Sequence, residues 1–140
     1  MRQAYRLLAN LVALAVVVQV ASIALAWFLT LHDLNEGLVL DENFDYNFGH
    51  IAHAIGGLMV IPLLALLLLI VSFFAKVDGG VKWAALVLLA VVVQVLLAFV
   101  SFGVPWLGAL HGINALVVAG LASMAARRSL SSRTREPVSA

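Results

Sequence analysis

Residues 7–31 read LLANLVALAVVVQVASIALAWFLTL, a run with no Asp, Glu, Lys or Arg in which Asn10, Gln19, Ser22 and Thr30 stand isolated among Leu, Val and Ala. At ~1.5 Å per residue, such a run crosses a hydrocarbon layer ~30 Å thick as one helix. Its apolar character continues around every face, unlike that of a soluble amphipathic helix. Three more long apolar runs follow at 51–75, 81–104, with Lys82 at its start, and 106–126. They account for a composition 64% hydrophobic and 11% charged and a mean hydropathy of +1.12. The expectation is an all-α fold, a polytopic membrane four-helix bundle over 1–126, with an acidic loop at 33–49 and a basic tail at 127–140. Four spans leave no room for a soluble domain.

The charges give the bundle a direction. Arg2 and Arg6 precede the first span, Lys76 and Lys82 flank the connection between the second and third, and Arg127, Arg128, Arg133 and Arg135 follow the fourth. Loop 33–49 carries Asp33, Glu36, Asp41, Glu42 and Asp45 and no Lys or Arg. Lys and Arg near span ends stay on the cytoplasmic side, so both termini are expected inside the cytoplasmic membrane of a bacterium or archaeon, with the acidic loop outside. Arg2, Arg6 and Ala24-Leu25-Ala26 imitate a secretory signal, but the apolar run exceeds the ~7–15 residues of a signal core and reads as an uncleaved span.

Several function classes fall away on composition. The chain has no cysteine, hence no disulfide or thiolate ligand. A net charge of +1, with the basic residues spread over three segments, argues against nucleic acid as a partner and leaves anionic lipid headgroups as their neighbours. No Asp or Glu lies within a span, which argues against the intramembrane relay of a small multidrug-type, proton-coupled transporter. No phosphate loop, nucleophile elbow or metalloprotease helix is present, and nothing marks the chain as an enzyme acting on its own.

An internal repeat is written in the spans. AVVVQV at 15–20 recurs letter for letter at 90–95, and each copy carries the one strongly polar residue in mid-span, Gln19 or Gln94. In the second helix of each hairpin, His53-Ala54-Ile55-Gly56-Gly57 corresponds to His111-Gly112-Ile113-Asn114-Ala115. Gln and His are 34 positions apart in the first copy and 17 in the second, a difference absorbed by the acidic loop. Because both hairpins start inside, the copies are expected as parallel repeats about an axis along the membrane normal. That axis sets His53 and His111 at equal depth on opposite sides of the bundle, each ~8–9 Å below the outer boundary at helical rise.

All four histidines, His32, His50, His53 and His111, lie toward the acidic side. A polar ring inside the hydrocarbon is costly unless paired or bound, so His53 and His111 read either as ligands or as interhelical hydrogen-bonding groups. As ligands they suit a six-coordinate haem b, one axial nitrogen on each side of the iron, in a chain that passes electrons or handles haem. His50 reads as a partner of that site, a propionate contact or a helix-start residue; His32 reads as an interfacial polar group. Gly57, with Gly56, and the small residues Gly108, Ala115, Ala119 and Ala122 let a flat cofactor approach the backbone, or let helices pack closely. Gln94, Gln19 and Asn114 either bond between helices or contact a cofactor or quinone. Pro62 is expected to bend the second span below His53. Two other readings stay open: an outer divalent metal site drawn from His50 and His53 with His111 or His32 and loop carboxylates, and a cofactor-free accessory protein. The partners expected are the lipid bilayer and either a membrane redox protein or a second copy.

The stretch Gly49-His50-Ile51-Ala52-His53-Ala54-Ile55-Gly56-Gly57, with Gln94 and Ala109-Leu110-His111, resembles one four-helix half of haem A synthase. In that family each half holds haem between histidines of its second and fourth helices, which implies His53 and His111 as axial ligands here. The family's Glu-x-x-His-Arg motif is altered, with His50 at the glutamate and Ala54 at the arginine position, and only one half is present. The resemblance therefore implies architecture and haem binding rather than haem A synthesis. Ala109-Leu110-His111, Asn114, Ala115 and Arg127-Arg128 are also similar to the ending of small uncharacterised four-span bacterial membrane proteins.

Overall fold

The structure, a computed structural model, describes residues 1–131. Among them, four helices are long and apolar enough to cross a membrane: Arg2–Asn35, Phe48–Ser72, Gly80–Gly103 and Pro105–Leu130. The first is α1 (Arg2–Asn35). The second is divided into α2 (Phe48–Ile55), a π-helical turn (Gly56–Val60) and α3 (Ile61–Ser72). The third is α4 (Gly80–Gly103), and the fourth is a 3-10 turn (Pro105–Leu107) leading into α5 (Gly108–Ser131).

These helices close into a ring. α1 packs against α5 and α3, and α4 packs against the same two, so the second and fourth spans face each other across a diagonal. Lipid-facing side chains such as Phe28, Leu116 and Phe102 remain exposed, as expected where the solvent is hydrocarbon.

The helix limits differ from the apolar runs because polar caps decide them. α1 continues past position 31 through His32, Asp33 and Asn35, with His32 Nε2 3.5 Å from Glu36 Oε1 one turn on. It stops where Gly37 adopts φ +104, a conformation costly for side-chain-bearing residues. α2 starts earlier than expected, at Phe48, because the Asn47 side chain accepts from the N–H groups of Gly49 (3.0 Å) and His50 (3.4 Å). The Asn47 amide also donates to the Ala26 carbonyl (2.9 Å) and the Thr30 hydroxyl (3.2 Å), bolting the start of α2 to α1. At the same level Gly49 meets the α1 backbone so closely that a Cβ there would lie 2.6 Å from Ala26 N and 2.7 Å from Ser22 O. The expected tail begins as helix, with α5 carrying Arg127 and Arg128; positions 132–140 lie outside the described residues.

The packed core occupies the basic end. Tyr5, Ala9, Val12, Ala65, Leu68, Ala84, Val87, Ala122 and Ala125 are buried there, with many alanines that let the helices approach. Tyr5 donates to the Gly80 carbonyl (3.1 Å), Arg2 donates to the Lys76 carbonyl (3.3 Å), and the Arg128 guanidinium lies 5.3 Å from the centre of the Trp83 ring. One layer of four side chains, Val16, Ile61, Val91 and Val118, ends this core. Beyond it the bundle is hollow.

Candidate functional site

A cavity of about 290 Å³ stands on that four-residue layer, with all four spans contributing to its wall. Val16 and Gln19 line it from α1, Val91 and Gln94 from α4, His111, Ala115 and Val118 from α5, and His53, Gly57 and Ile61 from the second span. The remaining wall is aliphatic or aromatic, so two imidazoles and two carboxamides supply its polar side chains. An apolar hollow with a few converging polar groups is the usual form of a small-molecule site.

The π-turn explains how His53 and Ile61 both reach the cavity. They are eight residues apart, and in an unbroken α-helix eight residues rotate a side chain by about 80° from alignment. His111 and Val118 do the same work seven residues apart, within about 20° of alignment, and α5 needs no irregularity between them. The π-turn takes up the extra residue, with the Ile61 N–H reaching back to the Gly56 carbonyl. It ends just before Pro62, which has no N–H to donate. The feature that the sequence suggests as a proline bend is therefore a widened turn that resets the phase of the helix.

Both histidines are held by the same contact. His53 Nδ1 lies 3.1 Å from the Gln19 carbonyl and His111 Nδ1 lies 3.0 Å from the Gln94 carbonyl. A carbonyl oxygen only accepts, so each Nδ1 carries the hydrogen, and in a neutral ring Nε2 is left with its lone pair. This is the tautomer of a histidine that binds metal through Nε2, with the opposite N–H oriented by a backbone carbonyl. The two ring centres are 6.4 Å apart, with the ring planes at 63°.

The two halves differ in their carboxamides. Gln94 Nε2 lies 3.1 Å from His111 Nε2, donating to it, while Gln94 Oε1 accepts from Asn114 Nδ2 at 2.7 Å. Asn114 also donates to the Ala90 carbonyl at 2.9 Å, so this half is a closed chain of bonds between α4 and α5. Three residues after His53 the position of Asn114 is taken by Gly56, and the Gln19 side chain lies against it where a Cβ would stand. Gln19 Oε1 is buried without a hydrogen-bond partner.

Of the residues singled out in the sequence, the structure brings His53, His111, Gln94 and Gly57 together around the cavity, with Asn114 joined to them through Gln94. His50 lies apart. Its ring is surrounded by Trp27, Phe44 and Tyr46 at centroid distances of 5.5, 6.1 and 5.4 Å, toward the acidic loop. His32 is exposed beside Glu36. His50 and His32 thus stand away from the His53–His111 pair, and among the described residues no group of three or more His, Asp or Glu is arranged to hold a metal ion. Sequence reasoning missed Asn47; an Asn directly before an apolar helix start was the available signal.

The chain is an integral membrane protein with four candidate spans and a cavity bordered by two intramembrane histidines. No family model matches it, and neither does a curated protein or a solved structure.

Proposed function

We propose that the cavity binds haem b between His53 and His111, and that the protein serves as an electron-transfer or haem-handling subunit of the cytoplasmic membrane. The observation that carries this reading is the pair of imidazoles 6.4 Å apart, each with Nδ1 on a backbone carbonyl. With each Nδ1 occupied by a carbonyl, the Nε2 atoms of His53 and His111 are the nitrogens that would hold a haem iron. Gly57 and Ala115 present little bulk to a flat ring in the same cavity. To hold the group, His111 would give up its Nε2 contact with the Gln94 amide, whose oxygen Asn114 already holds. The iron supplies one-electron chemistry when bound. His53 and His111 would hold it through neutral ring nitrogens oriented by backbone carbonyls, in an apolar surround.

The same reading takes the hairpins as parallel repeats, supported by the matched His-to-carbonyl contacts and the recurrent AVVVQV. It also takes the basic end as cytoplasmic, supported by the placing of Arg2, Arg6, Lys76, Lys82, Arg127 and Arg128. The test is the visible spectrum of detergent-purified protein, oxidised and reduced. The expected result is a Soret band with reduced α and β bands, lost in His53→Ala and in His111→Ala while the chain still inserts. Colourless protein after expression with added haem precursor, taking up no haemin, overturns it and leaves the His–Gln–Asn chain as a purely structural link between spans.

A further inference from the structure

Six of the residues that line the cavity are also exposed, and four of them lie on the second and third spans. Leu58 is 50% exposed, Phe99 58% and Phe102 86%, and Ala54 is exposed with them. Where the helices that carry them do not pack together, such side chains form the rim of an opening. Ala54 and Leu58 belong to α2 and the π-turn, and Phe99 and Phe102 to α4. Among the described residues α2 packs on α1 and makes no comparable interface with α4 or α5, whereas α3, nearer the basic end, packs on both α1 and α4. The second span thus leaves the third above the floor layer. Val20 and Gly112 also line the cavity and are exposed, but they lie on α1 and α5, which pack against each other.

We infer that the cavity opens sideways between α2 and α4 into the hydrocarbon, and that its occupant enters from the lipid. Naming that occupant as haem rests on the reading above. The rim consists of Ala, Leu and two Phe side chains, which offer water no hydrogen bond but cost an apolar ring nothing to pass. The wall behind it is apolar except for the two imidazoles and the two carboxamides, so a ligand sliding in from the bilayer meets its first strong polar contacts at the imidazoles. α2 is held at its start to α1 by Asn47 and Gly49, which keeps it from closing onto α4.

The absence of cysteine lets one nitroxide label be placed at will. In phosphatidylcholine vesicles without haem, a label on Ala98→Cys, in the cavity wall, is compared with one on Leu96→Cys, on the lipid-facing side of the same helix. The label at 98 is expected to collide with dissolved oxygen nearly as often as the label at 96 and to be protected from a water-soluble nickel chelate. Ala54→Trp, which plugs the rim, is expected to lower oxygen collision at 98 but not at 96. Should that variant fail to accumulate, Phe102→Ala, which removes part of the rim, is expected to raise it. Frequent contact with the nickel chelate at 98 overturns the inference in favour of a water-filled entrance, and low oxygen contact there overturns it in favour of a sealed cavity. With haemin dissolved in the same vesicles, the plug is expected to slow uptake about tenfold, as a blocked gate does; uptake at an unchanged rate rejects this route. If unplugged protein takes up no haemin, the haem reading falls, and the oxygen result alone decides the opening.

Discussion

Glycine at position 49 shows most directly how one residue sets the geometry of the site. A Cβ there would press on the backbone of Ala26 and Ser22, atoms that move only if α2 and α1 separate. Gly49→Ala is therefore expected to cost about 1–3 kcal/mol, the usual cost of overpacking, read as a lower midpoint in denaturant unfolding of the detergent-solubilised protein. Gly120→Ala is the matched control, since a Cβ there meets nothing within 4 Å and Ala favours a helix interior, so its midpoint is expected to hold or to rise by up to about 1 kcal/mol. Gly56 behaves differently. The atom in its way is the end of the Gln19 side chain, which can swing aside, so Gly56→Ala is expected to keep stability and to move the Gln19 carboxamide instead. The placing of Gly57 and Gln94 beside the histidines was legible in the sequence from their spacing. The asymmetry between Gln19 and Gln94 was not, because it depends on Asn114 standing where the other half has Gly56, a comparison with physical meaning only once each side chain's neighbour is known.

Within the second span, the π-turn and the Asn47 cap together decide where His53 points. Run length and hydropathy read the four helices directly, since an apolar run of this length satisfies its backbone within one segment only as a helix. Phase is a finer property: seven against eight residues between histidine and floor layer leaves hydropathy unchanged, and Pro62 signals an irregularity without saying of which kind. The position of His50 was illegible for a related reason. Helical spacing sets it one turn from His53, but Trp27, Phe44 and Tyr46 come from α1 and from the loop, and their gathering is tertiary. Inserting one Ala between Ile55 and Gly56 turns His53 by about 100° and lifts it ~1.5 Å. The expected outcome is a chain that inserts and purifies normally but lacks the bis-histidine spectrum, a result that a merely nearby histidine would not give. Asn47→Ala, which removes a cap and the bolt to α1, is expected to cost about 1 kcal/mol or somewhat more and to speed amide exchange at the start of α2.

Across the whole molecule, packing and charge divide the bundle into two ends with different work. The basic end is filled by small side chains and fastened by Tyr5 to Gly80 and Arg2 to Lys76, so it acts as a rigid base. The other end gives up close packing to keep a hollow, and burying two imidazoles there is tolerable because each is held through a carbonyl of an adjacent span. If Lys and Arg fix the direction of insertion, that hollow lies toward the outer face, and any electron exchanged through it is exchanged near that face. Single cysteines test the orientation, because the chain has none of its own to be labelled. Asp41→Cys in the acidic loop and Asp78→Cys beside α4 are both exposed positions. In intact cells a membrane-impermeant maleimide is expected to label position 41 and to spare position 78 until the cells are broken open. Labelling in the reverse sense would put the basic residues outside and move the cavity, with the haem proposed for it, to the cytoplasmic half.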